Sequence, residues 1–443
     1  MMRLIRGGRI IDPSQNIDTK MDLLIHEGKI FKAGVNLTEY LRNSPGKNSI
    51  DFDILDVTDY LVVPGLIDMH THLREPGFEY KETIQSGTAA AVAGGFTALA
   101  CMPNTNPVND NRSVTEYIIK KAAECGLARV YPIAAISRAS EGRCLSEFHD
   151  LKDAGAVAFS DDGKPVADSA LMRRALEYAF SIGLPIISHC EDTALTAGGV
   201  MNEGLASTEL GLAGIPSLAE EVMVARDILI AQYTGTSVHI AHVSTAGSVQ
   251  IIRNAKKRGV LVTAETAPHY FSLTDDAVRD YDTNTKVNPP LRTATDVEAI
   301  KEGLRYGTID TIASDHAPHA VTEKELEYDL ASFGITGLET SLSLSLKLVS
   351  EGVLTLPQLI LRMCTLPARI LGVQGGTLKE GSPADITVVD PENLWTVDLS
   401  AFRSKGRNSP FAGWQLRGKA LVTFVGGEIK YRDDSFPSKN MGI

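Results

Sequence analysis

Apolar and polar positions follow two textures along the chain. From residue 1 to about 60, short apolar runs such as Ile10-Ile-Asp-Pro, Asp22-Leu-Leu-Ile-His-Glu-Gly-Lys-Ile and Ile54-Leu-Asp-Val alternate with Gly and Pro. This reads as short strands joined by turns. From Leu61 onward, brief β-rich runs alternate with longer helical segments. Strands are expected at Leu61–His70, Phe96–Ala100, Arg129–Ala135, Ala156–Ser160, Leu184–His189, Ser237–His242, Val260–Ala264 and Ile309–Ser314. Helices are expected at Thr83–Ala93, Ser113–Glu124, Ser169–Ile182, Ser217–Tyr233, Ser244–Arg258 and Asp296–Arg305, with more helix in Glu339–Val349 and Leu356–Leu371.

Eight strand-then-helix units predict an α/β fold of the (β/α)8 TIM-barrel kind. An open doubly wound sheet is the alternative, but no G-x-G-x-x-G follows any of these strands and no P-loop occurs. The tail returns to β texture, with Ala384-Asp-Ile-Thr-Val-Val-Asp and Ala420-Leu-Val-Thr-Phe-Val-Gly-Gly-Glu-Ile. Residues 1–60 and 372–443 are therefore expected to form one small β-sandwich domain beside a barrel spanning 61–371.

Composition narrows the class without naming it. At 443 residues the chain can build a large core, and 43% apolar with 22% charged residues is ordinary for a soluble globular protein. A net charge of −12 argues against nucleic acid or acidic membrane surfaces as partners. Neither a signal peptide nor an apolar stretch of about 18 residues is found. Five cysteines without a C-x-x-C fit a reducing compartment, so a cytoplasmic location is expected.

Candidate chemistry begins with His70-Thr-His72 at the end of the first barrel strand. Side chains two apart on a strand share a face, so both imidazoles can meet at one point. In a parallel barrel the active site lies at the carboxyl ends of the strands. There the fourth strand runs into Asp161-Asp162, the fifth ends in His189, the sixth in His242 and the eighth in Asp315. Any one buried histidine is usually structural; five strands ending in His or Asp point to a metal site. These ligands exceed the three that one catalytic zinc takes from protein, so two metals sharing a carboxylate are expected. Asp68 is expected to share the inward side of His70 and orient a ligand imidazole. His239 is expected to face away, His26 and His149 to be structural or on the surface, and His269 to sit near the mouth. Cys190 is expected to point away from His189 as a small buried hydrophobe.

With these residues in view, the chain resembles the class I bacterial dihydroorotases of the amidohydrolase superfamily. The matching segments include Asp68-Met-His-Thr-His-Leu-Arg-Glu-Pro-Gly, Met102-Pro-Asn-Thr-Asn-Pro, Ala158-Phe-Ser-Asp-Asp-Gly-Lys-Pro and Ser188-His-Cys-Glu-Asp. Further matches are Ala241-His-Val-Ser-Thr, Lys286-Val-Asn-Pro-Pro-Leu-Arg, Ser314-Asp-His-Ala-Pro-His and Ser332-Phe-Gly-Ile-Thr-Gly-Leu-Glu. The resemblance implies two zinc ions, Zn2+, in each subunit. One would be held by His70, His72 and Asp315 and the other by His189 and His242, bridged by Asp162 and a hydroxide. Asp161 is the weaker bridge candidate because the family places the ligand immediately before the glycine. Substrate contacts are implied for His72, Arg74, Asn104, Asn288 and His319, and for the backbone of Phe333-Gly334. Hydantoinases, dihydropyrimidinases and allantoinases look similar but bridge their metals with a modified lysine on the fourth strand. Here that position is Asp162, and Lys164 is expected in the following loop.

The implied reaction is reversible hydrolysis of the cyclic amide of L-dihydroorotate to N-carbamoyl-L-aspartate, a step of pyrimidine biosynthesis. Asp315 is the expected proton shuttle. Arg74 suits a substrate carboxylate, because a guanidinium binds it through two parallel bonds. The charged segment Ala320–Ile335 is expected to form a lid. The other implied partners are further copies of the chain, in a homo-oligomer, and aspartate transcarbamoylase. A competing reading is a non-catalytic partner of that enzyme, which should have lost ligands.

Overall fold

A computed structural model describes residues 2–43, 52–437 and 441–442. Eight parallel strands form the centre: β1 Leu66–Thr71, β2 Phe96–Cys101, β3 Arg129–Ala134, β4 Ala158–Phe159, β5 Ile187–Ser188, β6 Val238–Ile240, β7 Val262–Thr266 and β8 Thr311–Ile312. They pair as two four-stranded sheets, β4-β3-β2-β1 and β5-β6-β7-β8. Parallel bridges Phe159↔Ile186 and Thr71↔His316 join the sheets at both seams, so the barrel closes. Helices follow in turn: α1 Ile84–Ala93, α2 Arg112–Cys125, α3 Phe148–Asp153, α4 Ser169–Ser181, α5 Leu218–Thr234, α6 Ala246–Lys257, α7 Ala294–Arg305 and α8 Ser341–Ser350.

Local sequence explains these boundaries. Thr83, Asn111, Asp168, Thr245 and Thr293 cap helix starts through side-chain oxygens that accept backbone N–H bonds. Lys256 and Lys257 sit in the last turn of α6, where a positive charge complements the helix dipole. Alternate strand residues divide between two cores. Met69, Ala100, Ile133, Ala158, Ile187, Ala241 and Ala313 fill the barrel interior. Leu66, Leu99, Cys101, Phe159, Ile240, Ala264 and Ile312 face the helices. The interior is a packed core, which leaves only the strand ends free to build a site.

The terminal segments form the sandwich. One sheet has the order 441–442, 52–56, 2–6, 22–26, 29–34; the other runs 428–432, 415–425, 386–396, 61–64, 9–12, 17–20. Ile5, Ile10, Ile25, Ile386, Val422 and Phe424 share their core, so residues from both chain ends pack together.

One expectation fails here. The strand expected at Leu61–His70 is two strands, and Leu61–Pro64 pairs with Ile386–Val389 and Arg9–Ile10 in the sandwich. The break is Gly65, where a Cβ would lie 2.1 Å from Thr97 Oγ1. No larger residue fits at this passage from sandwich to barrel. Arg129 on β3 braces the same junction, donating to Asp385 from Nε at 2.7 Å.

Candidate metal centre and substrate pocket

Strand alternation, interrupted at two points, brings the ligand candidates together. On β4, Ala158 points inward and Phe159 outward, so the chain reaches Asp162 on the inner side and Asp161 on the outer. Asp161 accepts bonds from Ser137 N and Oγ and is thereby spent on joining strand ends. On β5, Ser188 points outward to Asp227, at 2.6 Å, and His189 inward. Cys190 packs in the outer core beside Asp227, away from His189.

β1 and β6 do not follow simple alternation. Asp68 lies opposite Leu99 but Thr71 opposite Cys101, so β1 gains one residue between them. Such a bulge re-aims side chains. It puts His70 and His72 inside while Asp68 lies on the other face. The expectation that Asp68 orients an imidazole is therefore corrected. Asp68 instead accepts backbone N–H bonds from His70 and Ser314 at 3.1 Å each, tying β1 to β8. On β6, His239 pairs opposite the inward Ile187 and itself points inward, which corrects the second expectation. His242 then reaches the centre through a left-handed backbone, φ 31°. Arg74 and Asp315 also adopt positive φ, 63° and 48°. Non-glycine residues seldom do so, and the surrounding structure must hold them there.

Two ligand groups result: His70, His72 and Asp162, and Asp162, His189 and His242, each with ligand atoms within 4.8 Å of one another. Asp162 belongs to both. His70 Nε2 lies 3.4 Å from Asp162 Oδ1 and 3.5 Å from Asp315 Oδ1, and His72 Nε2 lies 3.3 Å from Asp315 Oδ1. His189 Nδ1 and His242 Nε2 approach to 2.7 Å. All six residues are buried. Burial disfavours the Asp162 carboxylate, but His70, His189 and His242 hold its pKa well below the usual range. Burial likewise opposes charge on His70, yet Asp162, Asp315 and Glu265 hold its pKa well above the usual value.

Whether a metal fits is decided by atoms left over. His70 Nε2 and Asp162 Oδ1 are buried and make no hydrogen bond. Unpaired buried polar atoms are costly, and ones that converge with further imidazoles and carboxylates suit a cation. The donor set of nitrogen and carboxylate oxygen fits.

Behind the ligands lies a layer that the sequence reading missed. His70 Nδ1 donates to Glu265 Oε1 at 2.6 Å, and His239 Nε2 lies 3.3 Å from Glu265 Oε2. His189 Nε2 donates to Glu191 Oε2 at 2.9 Å, and His72 Nδ1 meets Asn104 Oδ1 at 2.9 Å. For His70, His189 and His72 the contact turns the other ring nitrogen to the centre, whereas the other nitrogen of His239 meets Thr263 Oγ1 at 2.8 Å. The available signal was Glu265 on β7, two residues from Thr263 on a strand with no ligand of its own. His269 is buried behind the centre, its Nε2 without a partner, and it does not line the pocket. His149 and Lys164 are exposed, as expected.

A cavity of about 230 Å³ opens above the centre, lined by His72, Arg74, Asn104, Asp162, His189, His242, Asn288, Asp315, His319, Phe333 and Gly334. His70 lies beneath it. Arg74 Nε donates to Pro318 O at 3.2 Å, and no carboxylate among the described residues pairs with its guanidinium. Burial lowers its pKa to about 10, against the pull of Asp315 and Asp162. Asn288 Nδ2 donates to Glu191 Oε2 at 3.0 Å, which leaves its carbonyl free, whereas Asn104 keeps its NH2. His319 Nε2 donates to Phe333 O at 2.7 Å and Gly334 N to Lys286 O at 2.9 Å. Part of the expected backbone contact at 333–334 is thus engaged internally.

A closed barrel carrying buried His and Asp at its carboxyl rim, with a flanking terminal sandwich, defines an amidohydrolase that acts on cyclic amides. Solved structures share this fold. L-hydantoinase (dihydropyrimidinase) from Arthrobacter aurescens superposes with a TM-score of 0.82 at 26% identity, covering 96% of this chain and 95% of that one. Dihydropyrimidinase from Brevibacillus agri gives 0.81 at 23% identity, covering 98% and 95%. The family profile described as Dihydro-orotase-like matches residues 59–248. Dihydroorotase of Syntrophus aciditrophicus is 60% identical over 98% of this chain and all of its own length. That of Geobacter metallireducens is 58% identical over 98% of this chain and all of its own. The chain belongs to the dihydroorotase family, and its function is that of a dihydroorotase.

Proposed function

We propose that the chain hydrolyses the cyclic amide of L-dihydroorotate reversibly to N-carbamoyl-L-aspartate with two zinc ions in each subunit. His70, His72 and Asp315 would hold one, His189 and His242 the other, and Asp162 both. The observation that carries this reading is Asp162 shared by two buried ligand groups. A bound metal supplies Lewis acidity and a water with a pKa near 7. Asp315, 3.3 Å from His72 and lining the cavity, would accept the proton of the attacking water and return it to the leaving ring nitrogen. Arg74, without a carboxylate partner among the described residues, would take the substrate carboxylate. Asn104 would donate to a ring carbonyl and Asn288 accept from a ring N–H. His319 and the Phe333–Gly334 backbone would close the remaining wall.

The barrel would be the catalytic unit, with residues 1–64 and 372–443 as its sandwich. The proposed homo-oligomer and its complex with aspartate transcarbamoylase rest on the family resemblance, and a cytoplasmic location rests on the cysteine usage. Light scattering with and without the transcarbamoylase tests the assembly.

Metal analysis of the purified protein, alongside turnover of dihydroorotate, dihydrouracil and hydantoin, tests the reading. Zinc near two per chain and preference for dihydroorotate support it; preference for a substrate without the carboxylate would sink it. Asp315→Ala should abolish turnover with the fold intact, and near-parental rates would remove the proton role. Arg74→Ala should raise KM far more than it lowers kcat, measured by steady-state kinetics.

A further inference from the structure

Beyond the residues that line the pocket, the turn Val321–Lys324 joins two of its walls, the His319 side and the Phe333–Gly334 side. Glu323 Oε1 pairs with Lys81 Nζ at 2.7 Å, and Lys81 comes from the same β1 loop that carries Arg74. Lys81 Nζ lies 3.4 Å from His319 Nδ1, on the side of the ring opposite its bond to Phe333 O. His319 Nδ1 also lies 3.4 Å from Glu323 Oε2, and Arg74 Nη2 lies 3.4 Å from His319 Nε2, so Glu323 reaches the ring both directly and through Lys81. Tyr80 OH donates to the same carboxylate at 3.3 Å, and Ala320 N to its other oxygen at 3.1 Å. The next residue faces the other wall. Lys324, 5% exposed, donates from Nζ to Ser332 O at 2.7 Å and Gly334 O at 3.1 Å. Ser332 N returns a bond to Glu323 O at 3.0 Å. A buried ammonium is costly unless it is well hydrogen-bonded, so these contacts are specific.

We propose that Glu323 and Lys324 are positioning residues for substrate binding: Glu323 fixes His319 beside Arg74, directly and through Lys81, and Lys324 fixes the Phe333–Gly334 backbone. The proposal rests on the site assignment above, in which Arg74, His319 and residues 333–334 contact substrate. Neither Glu323 nor Lys324 touches the cavity itself, so their loss acts on the geometry of the wall. Well-placed anchors near a reacting centre carry large effects for small displacements.

The experiment is steady-state kinetics on the metal-loaded protein with Glu323→Gln, Lys81→Met, Lys324→Met, the double variant Glu323→Gln/Lys81→Met and the rescue Lys81→Arg. KM for dihydroorotate should rise about tenfold in each single variant, with kcat falling less than KM rises. The double variant should be no worse than the poorer single one, because both remove one unit. Lys81→Arg should recover most of the affinity. Thermal melting and metal content keep folding and the metal centre in view. Unchanged KM in Glu323→Gln and Lys81→Met overturns the proposal, as does an additive double variant. A parent protein that fails to turn over dihydroorotate instead overturns the site reading on which it rests.

Discussion

Glu265→Gln tests the layer behind the proposed metal ligands. The carboxylate is fully buried and makes two contacts, to His70 Nδ1 at 2.6 Å and to His239 Nε2 at 3.3 Å. Burial works against its charge, but His70 and His239 hold its pKa well below the ordinary glutamate value. The variant keeps the shape and one acceptor. It loses the charge, and its NH2 must face one of two imidazole donors. His239 Nδ1 is engaged with Thr263 Oγ1 at 2.8 Å, which leaves its Nε2 facing Glu265 Oε2 at 3.3 Å. Charge-assisted bonds contribute about 1.5–3 kcal/mol and neutral ones about 0.5–1.5 kcal/mol. The difference, with one unfavourable donor pair, comes to about 2 kcal/mol, or about thirtyfold. Removal of a group that orients a ligand histidine typically costs about 10- to 100-fold in metal affinity or activity, in accord with this figure. The assay is metal retention against a chromophoric chelator, followed by turnover under saturating metal. Chelator resistance and kcat both within about threefold of the parent would refute the reasoning.

Two further perturbations probe the substrate wall and the sandwich. Gly334 has φ 126°, and a Cβ there would lie 2.7 Å from Ala317 Cβ and 3.2 Å from His319 Nε2. Gly334→Ala should weaken substrate binding by about 1–3 kcal/mol, read as a raised KM, and an unchanged KM would refute the packing argument. Burial pushes the Asp433 carboxyl up, but Lys419 at 2.7 Å and Ser435 outweigh it and hold its pKa down at about 2. A lowered acid pKa stabilises the fold above the unfolded value near 4, and that stability is lost as pH falls toward 2. Lys419→Met should therefore cost about 1 kcal/mol at pH 7 and progressively less as the pH drops toward 2, measured by thermal melts. A pH-independent difference would show that the effect is packing.

The barrel was legible because each strand–helix unit carries its own short-range pattern. All eight expected strand regions overlap barrel strands, and the six expected inter-strand helices form within two residues of the expected starts. What escaped were the places where local periodicity is overridden. Leu61–His70 reads as one apolar run, yet Gly65 divides it between two packing units. The bulge between Asp68 and Thr71 depends on pairing with β2, which no single strand reveals. His239 differs from its expected direction while His242 does not, because the left-handed backbone at His242 resets the alternation between them. Side chains that act through others were also invisible. Glu191 and Glu265 are single acids in apolar strands or loops until the fold sets them against ring nitrogens.

Those ring nitrogens carry the main logic of the centre. Glu265 takes Nδ1 of His70 and Glu191 takes Nε2 of His189, so the two rings offer opposite nitrogens inward. Each of these carboxylates makes its imidazole more basic and therefore a better donor to a cation. His72 differs: its Nδ1 meets the neutral amide of Asn104, and Arg74 and burial lower its pKa although Asp315 opposes them. Asn104 holds His72 through its oxygen while its NH2 remains for the substrate, and Asn288 does the converse through Glu191. Each pocket amide is therefore bonded on one side to the metal-centre scaffold. Under the proposed assignment, moving either asparagine would disturb a candidate ligand imidazole and a substrate contact together, so neither could be exchanged as a binding residue alone.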